Sequence, residues 1–483
     1  MSFFNKFTSV FIFVLLLLGS VFLTGCRSKD PITGVKDYSG IELTYYKVFD
    51  DSDVIQPLID QYILKHPGLK INYRKFSDFK EYEKTILNEM AEGEGPDVFS
   101  MQNTWFMSNY KKLIPMPVEL GGLPANFEKT FVSVAYNDLV RPDGDGYLSI
   151  YGVPLTVDTL ALYYNKDHFD DRLASQGVPS STWEGIKEDV QLLTKEDESF
   201  DRFEVSGISM GRADNISRGI DTLYALFLQY GVNFYNDNMS KAIFNGKVGG
   251  VFDYPALAAL DFYTSFADSN EKYYAWNEYV VDDDSEEKEL EAFARGDISM
   301  IFGYAYAYEQ ILNELKIAKA NGDNAIDKDA IRIAPFPQIY DPEVSNEKRV
   351  TYASYFAETV SRNCENPEVA WDFLIFLTKA EQLQYYFEKT HNPTSLRVLI
   401  DEQKGDPVYG VFAEQTGYAE SFAIVDYFIY KELFTDVVNE INEIGSTKGK
   451  LMDAQDSISS MLPEEGYIVP EVQRSEENTD DAE

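Results

Sequence analysis

Apolar positions recur along the chain in two alternating rhythms. Ile41–Tyr46 (IELTYY) is a short, mostly apolar run that reads as a strand. From Val54 to Lys65 the apolar residues fall at Ile55, Leu58, Ile59, Tyr62 and Ile63, the spacing of one helical face, with Asp51, Ser52 or Asp53 available to cap its start. His66-Pro67-Gly68 ends that helix, and Leu69–Tyr73 predicts a second strand. A further helix over Tyr82–Met90 leads into Asp97-Val98-Phe99. The style continues downstream. Ser181-Thr182-Trp183-Glu184 has the form of a capping box ahead of Trp183, Ile186, Val190 and Leu193 on one face. Helices are predicted over Gly219–Tyr230, Pro367–Phe387 and Tyr427–Ile444. Strands alternating with helices predict an α/β protein whose sheets are mainly parallel and covered on both faces, with ligands at the carboxyl ends of the strands.

The chain has 483 residues, enough for two or three domains, and 44% of them are hydrophobic, so a packed core is expected. Its formal charge is -39. That field repels phosphate backbones and weighs against a nucleic-acid partner, while its plainest role is solubility. Cys26 and Cys364 are the two cysteines, so there is no disulfide framework and no cysteine-rich zinc site. His66, His168 and His391 are scattered without metal-ligand spacing, and each reads as structural. Asp143-Gly144-Asp145-Gly146 resembles the start of a calcium loop, but Tyr147 takes the next ligand position and the loop glycine and final Glu are out of register, so it reads as a turn. Asp282–Glu287 reads as a solvated charge run, and no metal or other cofactor is implied.

Lys6 precedes an apolar run from Phe7 to Leu23, the layout of a secretory signal, and the run ends in Leu23-Thr24-Gly25-Cys26. This resembles a bacterial lipobox, which implies cleavage before Cys26 and lipidation of its thiol. Removal of residues 1–25 takes away Lys6 alone, so the mature chain is more acidic by one charge. Residues 26–40 are polar and turn-rich and read as a tether, and 471–483 as an acidic disordered tail. The expected location is the cell membrane, anchored on its extracytoplasmic side.

Several blocks occur in an order that resembles the extracellular solute-binding family to which maltose-binding protein belongs. They are Gly95–Phe99 with Trp105 and Leu113–Pro115; Tyr151–Pro154, Asp158-Thr159 and Ala161–Lys166; Thr182–Glu184; Phe293–Met300 with Gly303; and Ala370–Phe373, Gln382 and Asn392–Thr394. Tyr151–Lys166 is the most specific. The resemblance implies two α/β lobes joined by several chain crossings around a ligand cleft: lobe one from 41–156 plus 350–395, lobe two from 157–349 plus 396–470. It implies a monomeric receptor that closes on a sugar or short oligosaccharide and delivers it to ABC permease subunits, with no catalytic residues. A receptor for a peptide, polyol or other small solute, and a secreted carbohydrate-active enzyme, are the competing readings.

A sugar offers apolar C–H faces rimmed by hydroxyls, which suits flat aromatics combined with carboxylates, amides or Arg. Asp158 sits where the family often places a ligand-binding acid. Asn103 and Trp105 follow a strand end, with packing beneath the loop the competing role for Trp105. Asp50 and Asp51 follow the first strand, with helix capping as their competing role. Asn215 and Arg218 belong to the Gly211–Gly219 loop. Many relatives carry a tryptophan after the glycine block, whereas this chain has Gly303-Tyr304-Ala305-Tyr306, so Tyr304 and Tyr306 are the stacking candidates. Tyr427 is a further candidate. Trp183 and Trp371 read as structural.

Overall fold

The computed structural model describes residues 37–197, 202–281, 288–445 and 448–467. The signal segment, Cys26, the Asp282–Glu287 run and the 471–483 tail lie outside the described residues, and of the tether only 37–40 lie inside.

Of the elements that frame the lobes and the cleft, the first in chain order are β1 (Glu42–Val48), α1 (Ser52–Lys65), β2 (Lys70–Phe76), α2 (Phe79–Ala91), β3 (Val98–Gln102) and β4 (Val153–Pro154). β5 (Asp158–Thr159) and β6 (Ala161–Asn165) follow, then α3 (Trp183–Leu193), α4 (Gly219–Tyr230), β7 (Met300–Gly303), α5 (Ala307–Asn321) and β8 (Ile331–Ala334). The last are β9 (Thr351–Ser354), β10 (Phe356–Val360), α6 (Pro367–Leu377), α7 (Ala380–Thr390), β11 (Ala419–Glu420), α8 (Tyr427–Ile444) and α9 (Lys448–Met461).

Local chemistry explains the element ends. Asp78 caps α2 by accepting the Glu81 N–H at 2.6 Å, and Asp426 caps α8 by accepting that of Ile429 at 3.0 Å. The cap of α3 is Thr182, which accepts from Gly185, so the box expected to begin at Ser181 is shifted by one residue and Glu184 falls inside the first turn. The single helix expected over Pro367–Phe387 is two. Lys379 lies in extended backbone between α6 and α7, and Thr378 turns its hydroxyl back onto the Ile375 carbonyl.

In the first lobe the strands form a sheet in the order β2-β1-β3-β10-β4. β1 runs parallel to β2 and β3, while β10 is antiparallel to both its neighbours. In the second lobe β6 lies between β7 and β8 and is antiparallel to both, so the mainly parallel sheet expected there is not what these strands form. The reason is the same in both lobes. β6 and β10 are the strands by which the chain enters a lobe from the crossing, so they start at the cleft where the others end. Alternation along the second sheet feeds two cores. Leu162, Tyr164, Met300 and Phe302 pack on one face, and Ala161, Tyr163 and Ile301 on the other.

The cores mark where the chain changes lobe. Val157 belongs to the first core and Leu160 to the second; Tyr352 belongs to the second and Ala353 to the first. At these passages β5, β9 and β11 pair side by side, with Ser354 opposite Asp158 and Thr351 opposite Ala419.

Candidate functional site: the interlobe cleft

Between the lobes lies a cavity of about 670 Å3. It collects the ends of β1, β2 and β3, the start of β10, the crossing at Asp158, the turn after β7 and the first residue of α8. Strand ends leave their last backbone groups unpaired and splay their side chains, which is why α/β sheets carry sites there.

The first-lobe wall is built on a buried charge network. The Lys47 ammonium, at the end of β1, lies 2.5 Å from Glu358 Oε1 and 3.1 Å from Asp50 Oδ2, and donates to Ser100 Oγ at 3.3 Å. Glu358 also accepts from Ser100 at 2.9 Å. Burial works against the Lys47 charge, but Asp50 and Glu358 outweigh it and hold its pKa well above the usual lysine value. The Tyr386 hydroxyl donates to the Asp50 carboxylate, and the Tyr73 hydroxyl donates to the Asp50 carbonyl at 2.6 Å. Asp50 is thereby held rigidly at the cavity edge.

On the opposite wall, Tyr304 and Tyr306 stack with ring centroids 5.8 Å apart and planes at 23°. Tyr304 is buried, whereas Tyr306 is 40% exposed. Gly303 lets the turn that follows it lie close on its neighbours, because a Cβ there would sit 3.0 Å from the Tyr163 ring and from the Ala307 Cβ. The Tyr163 hydroxyl in turn donates to the Tyr304 carbonyl at 2.7 Å. The Arg218 guanidinium lies 5.8 Å from the Tyr304 centroid and 5.6 Å from that of Tyr306, within cation–π range, and 3.7 Å from the Asp221 carboxylate. Burial raises the Asp221 pKa, opposed by Arg218 and Lys431. The Tyr304 hydroxyl is close enough to Asp221 to help hold that pKa down, yet it lacks the geometry of a formed hydrogen bond.

Asp158 joins the walls. Its carboxylate accepts the backbone N–H of Thr159 at 2.8 Å and of Ala305 at 3.0 Å. Burial pushes its pKa up to about 7, although those two N–H groups and Arg218 pull the other way.

The structure thus brings Asp50, Asp158, Arg218, Tyr304, Tyr306 and Tyr427 to the cavity. Four other candidates do not line it. Asp51 stands at the cap position of α1 without a capping bond and pairs with Lys75 instead. Asn103 is buried and donates to Asp138 and to the Ala353 carbonyl of β9. Trp105 packs into the first core, edge-on to Phe79. Asn215 accepts the indole N–H of Trp276 at 2.9 Å and donates to the Asn277 carbonyl, which turns it away from the cleft. Each lies close in sequence to a cavity residue, and spacing alone does not say which neighbour points inward. Lining residues that sequence reasoning passed over include Lys47, Phe49, Phe79, Asp221, Phe356 and Tyr386. Asp221 had a signal, lying three residues after Arg218 on one helical turn.

Among the described residues no His, Cys, Asp or Glu cluster has a metal-binding arrangement, and no helix is long and apolar enough to cross a membrane. Asp143 Oδ1 accepts the N–H groups of Asp145 and Tyr147, so the acidic stretch is a hairpin turn. Trp183 and Trp371 are buried, bonded to Gln229 and to the Ile114 carbonyl.

Solved structures share this architecture. The sugar-binding protein MalE of Xanthomonas citri is 15% identical, with 87% of this chain and 97% of that chain covered at a TM-score of 0.67. A maltose-bound MalE3 of T. maritima is 15% identical, with 87% and 100% covered at 0.62. An ABC transporter solute-binding protein of Thermotoga lettingae, bound with alpha-D-tagatose, is 18% identical, with 87% and 99% covered at 0.60. No curated protein matches the chain by sequence. The family described as bacterial extracellular solute-binding protein, whose members bind rather than transform their solutes, matches residues 49–384. A two-lobed α/β body with its cavity at the crossing, and a match across most of the chain, place it: this protein belongs to the bacterial extracellular solute-binding proteins.

Proposed function

We propose that the protein captures a sugar or short oligosaccharide in the interlobe cleft and delivers it to the membrane permease of an ABC importer. The stacked Tyr304–Tyr306 pair carries this reading: it offers a flat apolar face beside a charged rim of Arg218, Asp221 and Asp158. A sugar ring has that same division between C–H faces and hydroxyl edges. Asp50, Arg218 and Asp221 at the rim supply acceptors and donors for the hydroxyls of such a ligand. The sugars bound in the related structures accord with this choice.

In this reading the lobes are those expected from the sequence, 41–156 plus 350–395 and 157–349 plus 396–470, adjusted to where the cores change: Val157, Leu396 and Leu399 go with lobe one and Tyr352 with lobe two. The hinge is the three short paired strands. Asp50, Asp158, Arg218, Tyr304, Tyr306 and Tyr427 contact the ligand. Ligand stabilises the closed form because only there do both walls touch it, and a permease that recognises closure then receives loaded protein. Cys26 carries the lipid that keeps the monomer at the outer face of the membrane.

Thermal unfolding against a panel of sugars, polyols and short peptides tests the ligand class. A sugar that raises Tm with concentration, recovered intact, supports the reading. Stabilisation by a peptide or polyol while every sugar is inert would overturn it. For the anchor, Cys26→Ser should release the protein from membranes into the soluble fraction; retention would remove the lipid from the account.

A further inference from the structure

Phe49 is held in a backbone conformation that its side chain disfavours. Its φ is 71°, a region where the Cβ of a bulky residue crowds the backbone. The Asp50 N–H donates to the Val48 carbonyl at 3.0 Å, closing a three-residue γ-turn about Phe49, and positive-φ turns of this kind are rare and strained. The turn is clamped from both sides: the Phe49 N–H donates to the Phe76 carbonyl at 2.9 Å, and the Asp50 carbonyl accepts from Tyr73. A glycine would make this turn at less cost, so the turn alone does not account for phenylalanine. Strain of this sort persists where the surroundings over-determine it, and it gathers at ligand sites.

The clamped ring lies at the cleft and is 54% exposed. It stands edge-on to Phe356 at 6.3 Å, and Phe356 stands edge-on to Phe79 at 5.7 Å. Phe49 directly follows β1, Phe79 and Phe356 pack against the first core, and all three line the cavity together with the Tyr304–Tyr306 stack of the second lobe. The cleft therefore holds two aromatic surfaces, one bare of hydroxyls and one rimmed with them. Its volume of about 670 Å3 is mid-range for sites that bury drug-sized ligands, roughly 300–1,000 Å3, and exceeds the needs of a single sugar ring.

We infer that the ligand is an oligosaccharide of at least two rings, one stacked at Tyr306 and the next covering Phe49; the inference rests on the sugar reading above. Phe49 then sets chain length: a single ring leaves it exposed to water, and a second ring buries it.

Isothermal titration of the full chain, in a detergent without a sugar head group, tests this with mono-, di- and trisaccharides of the gluco and manno series. In the series that binds, affinity should rise about tenfold or more from mono- to disaccharide, the effect of burying and stacking one ring. Phe49→Ala should erase most of that step, weakening the disaccharide about tenfold more than the monosaccharide. Phe49→Gly, which suits the turn, should do the same, and Phe49→Tyr should restore the step. Equal weakening of both sugars, or a wild-type disaccharide no tighter than the monosaccharide, overturns the two-ring inference and leaves the sugar reading standing. Binding of no saccharide overturns that reading and the inference with it.

Discussion

The carboxylate of Asp158 receives the backbone N–H of Ala305, its two oxygens 3.1 and 3.0 Å from that nitrogen across a separation of 147 residues. Ala305 lies between the two stacked tyrosines, so the first chain crossing directly fixes the segment that bears the aromatic face.

Removing that carboxylate orphans two buried N–H groups. Asp158→Ala should cost about 2–6 kcal/mol in urea unfolding, the desolvation of two unpaired donors at roughly 1–3 kcal/mol each. Asp158→Asn keeps one acceptor oxygen and should cost less. Equal stability of all three proteins would show that these bonds contribute nothing.

The pH dependence of Asp158 has a definite sign. Its folded pKa stands at about 7, pushed up by burial, against an ordinary value of 3.8. Below the ordinary value both states hold the proton. As pH rises toward the folded pKa, the unfolded chain releases the proton and the folded chain keeps it, so stability falls with pH across that window. Wild type should thus lose stability from about pH 4 to pH 7 relative to Asp158→Asn, whose side chain does not titrate. Parallel profiles for the two proteins would contradict the placement.

Lys47 and Glu358 form a buried pair. Lys47→Met should destabilise by about 3–5 kcal/mol, because it leaves Glu358 charged and desolvated. It also frees Asp50 at the cavity edge, so ligand affinity should fall as well. The Lys47→Met/Glu358→Gln double variant should recover much of the stability. A double variant no more stable than the single one would argue against coupling between the two side chains.

The two stacked tyrosines should separate stability from binding. Tyr304→Phe keeps the stacked ring and removes a buried hydroxyl that makes no formed hydrogen bond, so unfolding free energy should hold or rise and sugar affinity should change little. Tyr306→Ala, at a half-exposed ring, should change stability by less than about 1 kcal/mol and weaken binding roughly tenfold. Loss of stability without loss of affinity in Tyr306→Ala would reassign that ring to packing.

Cys364 is buried, and burial together with the nearby Asp97 carboxylate pushes its thiol up to about 12. Little thiolate exists near neutral pH, so a thiol reagent should modify Cys364 in the native protein far more slowly than in urea. Mass spectrometry of its peptide gives the readout, and equal rates in the two states would show the thiol to be accessible.

What could be read from the chain is local. Periodicity placed the first three strands and most of the helices it singled out within a few residues, since a buried face imposes its spacing on the sequence. Tyr427–Ile444 is the helix that its pattern predicts. The Thr182 cap fell one residue from its expected place and the α6–α7 break was missed, because Thr378-Lys379 carries no glycine or proline to announce it.

The cleft was legible where its residues belong to an ordered motif, as at Asp158 and Gly303–Tyr306. Elsewhere proximity misled: Asn103 and Asp51 lie beside strand ends, yet their side chains bond to Asp138 and Lys75. Lys47 and Glu358 meet across 311 residues, and Asp50 and Tyr386 across 336. The sequence by itself determined the two-lobed α/β class and the family, because these rest on periodicity and on ordered short blocks. Only the tertiary structure decided which charges neutralise one another and which aromatic rings line the cleft. Those outcomes depend on which distant strand ends converge, and on the strained turn that exposes Phe49 there, neither of which leaves a local pattern.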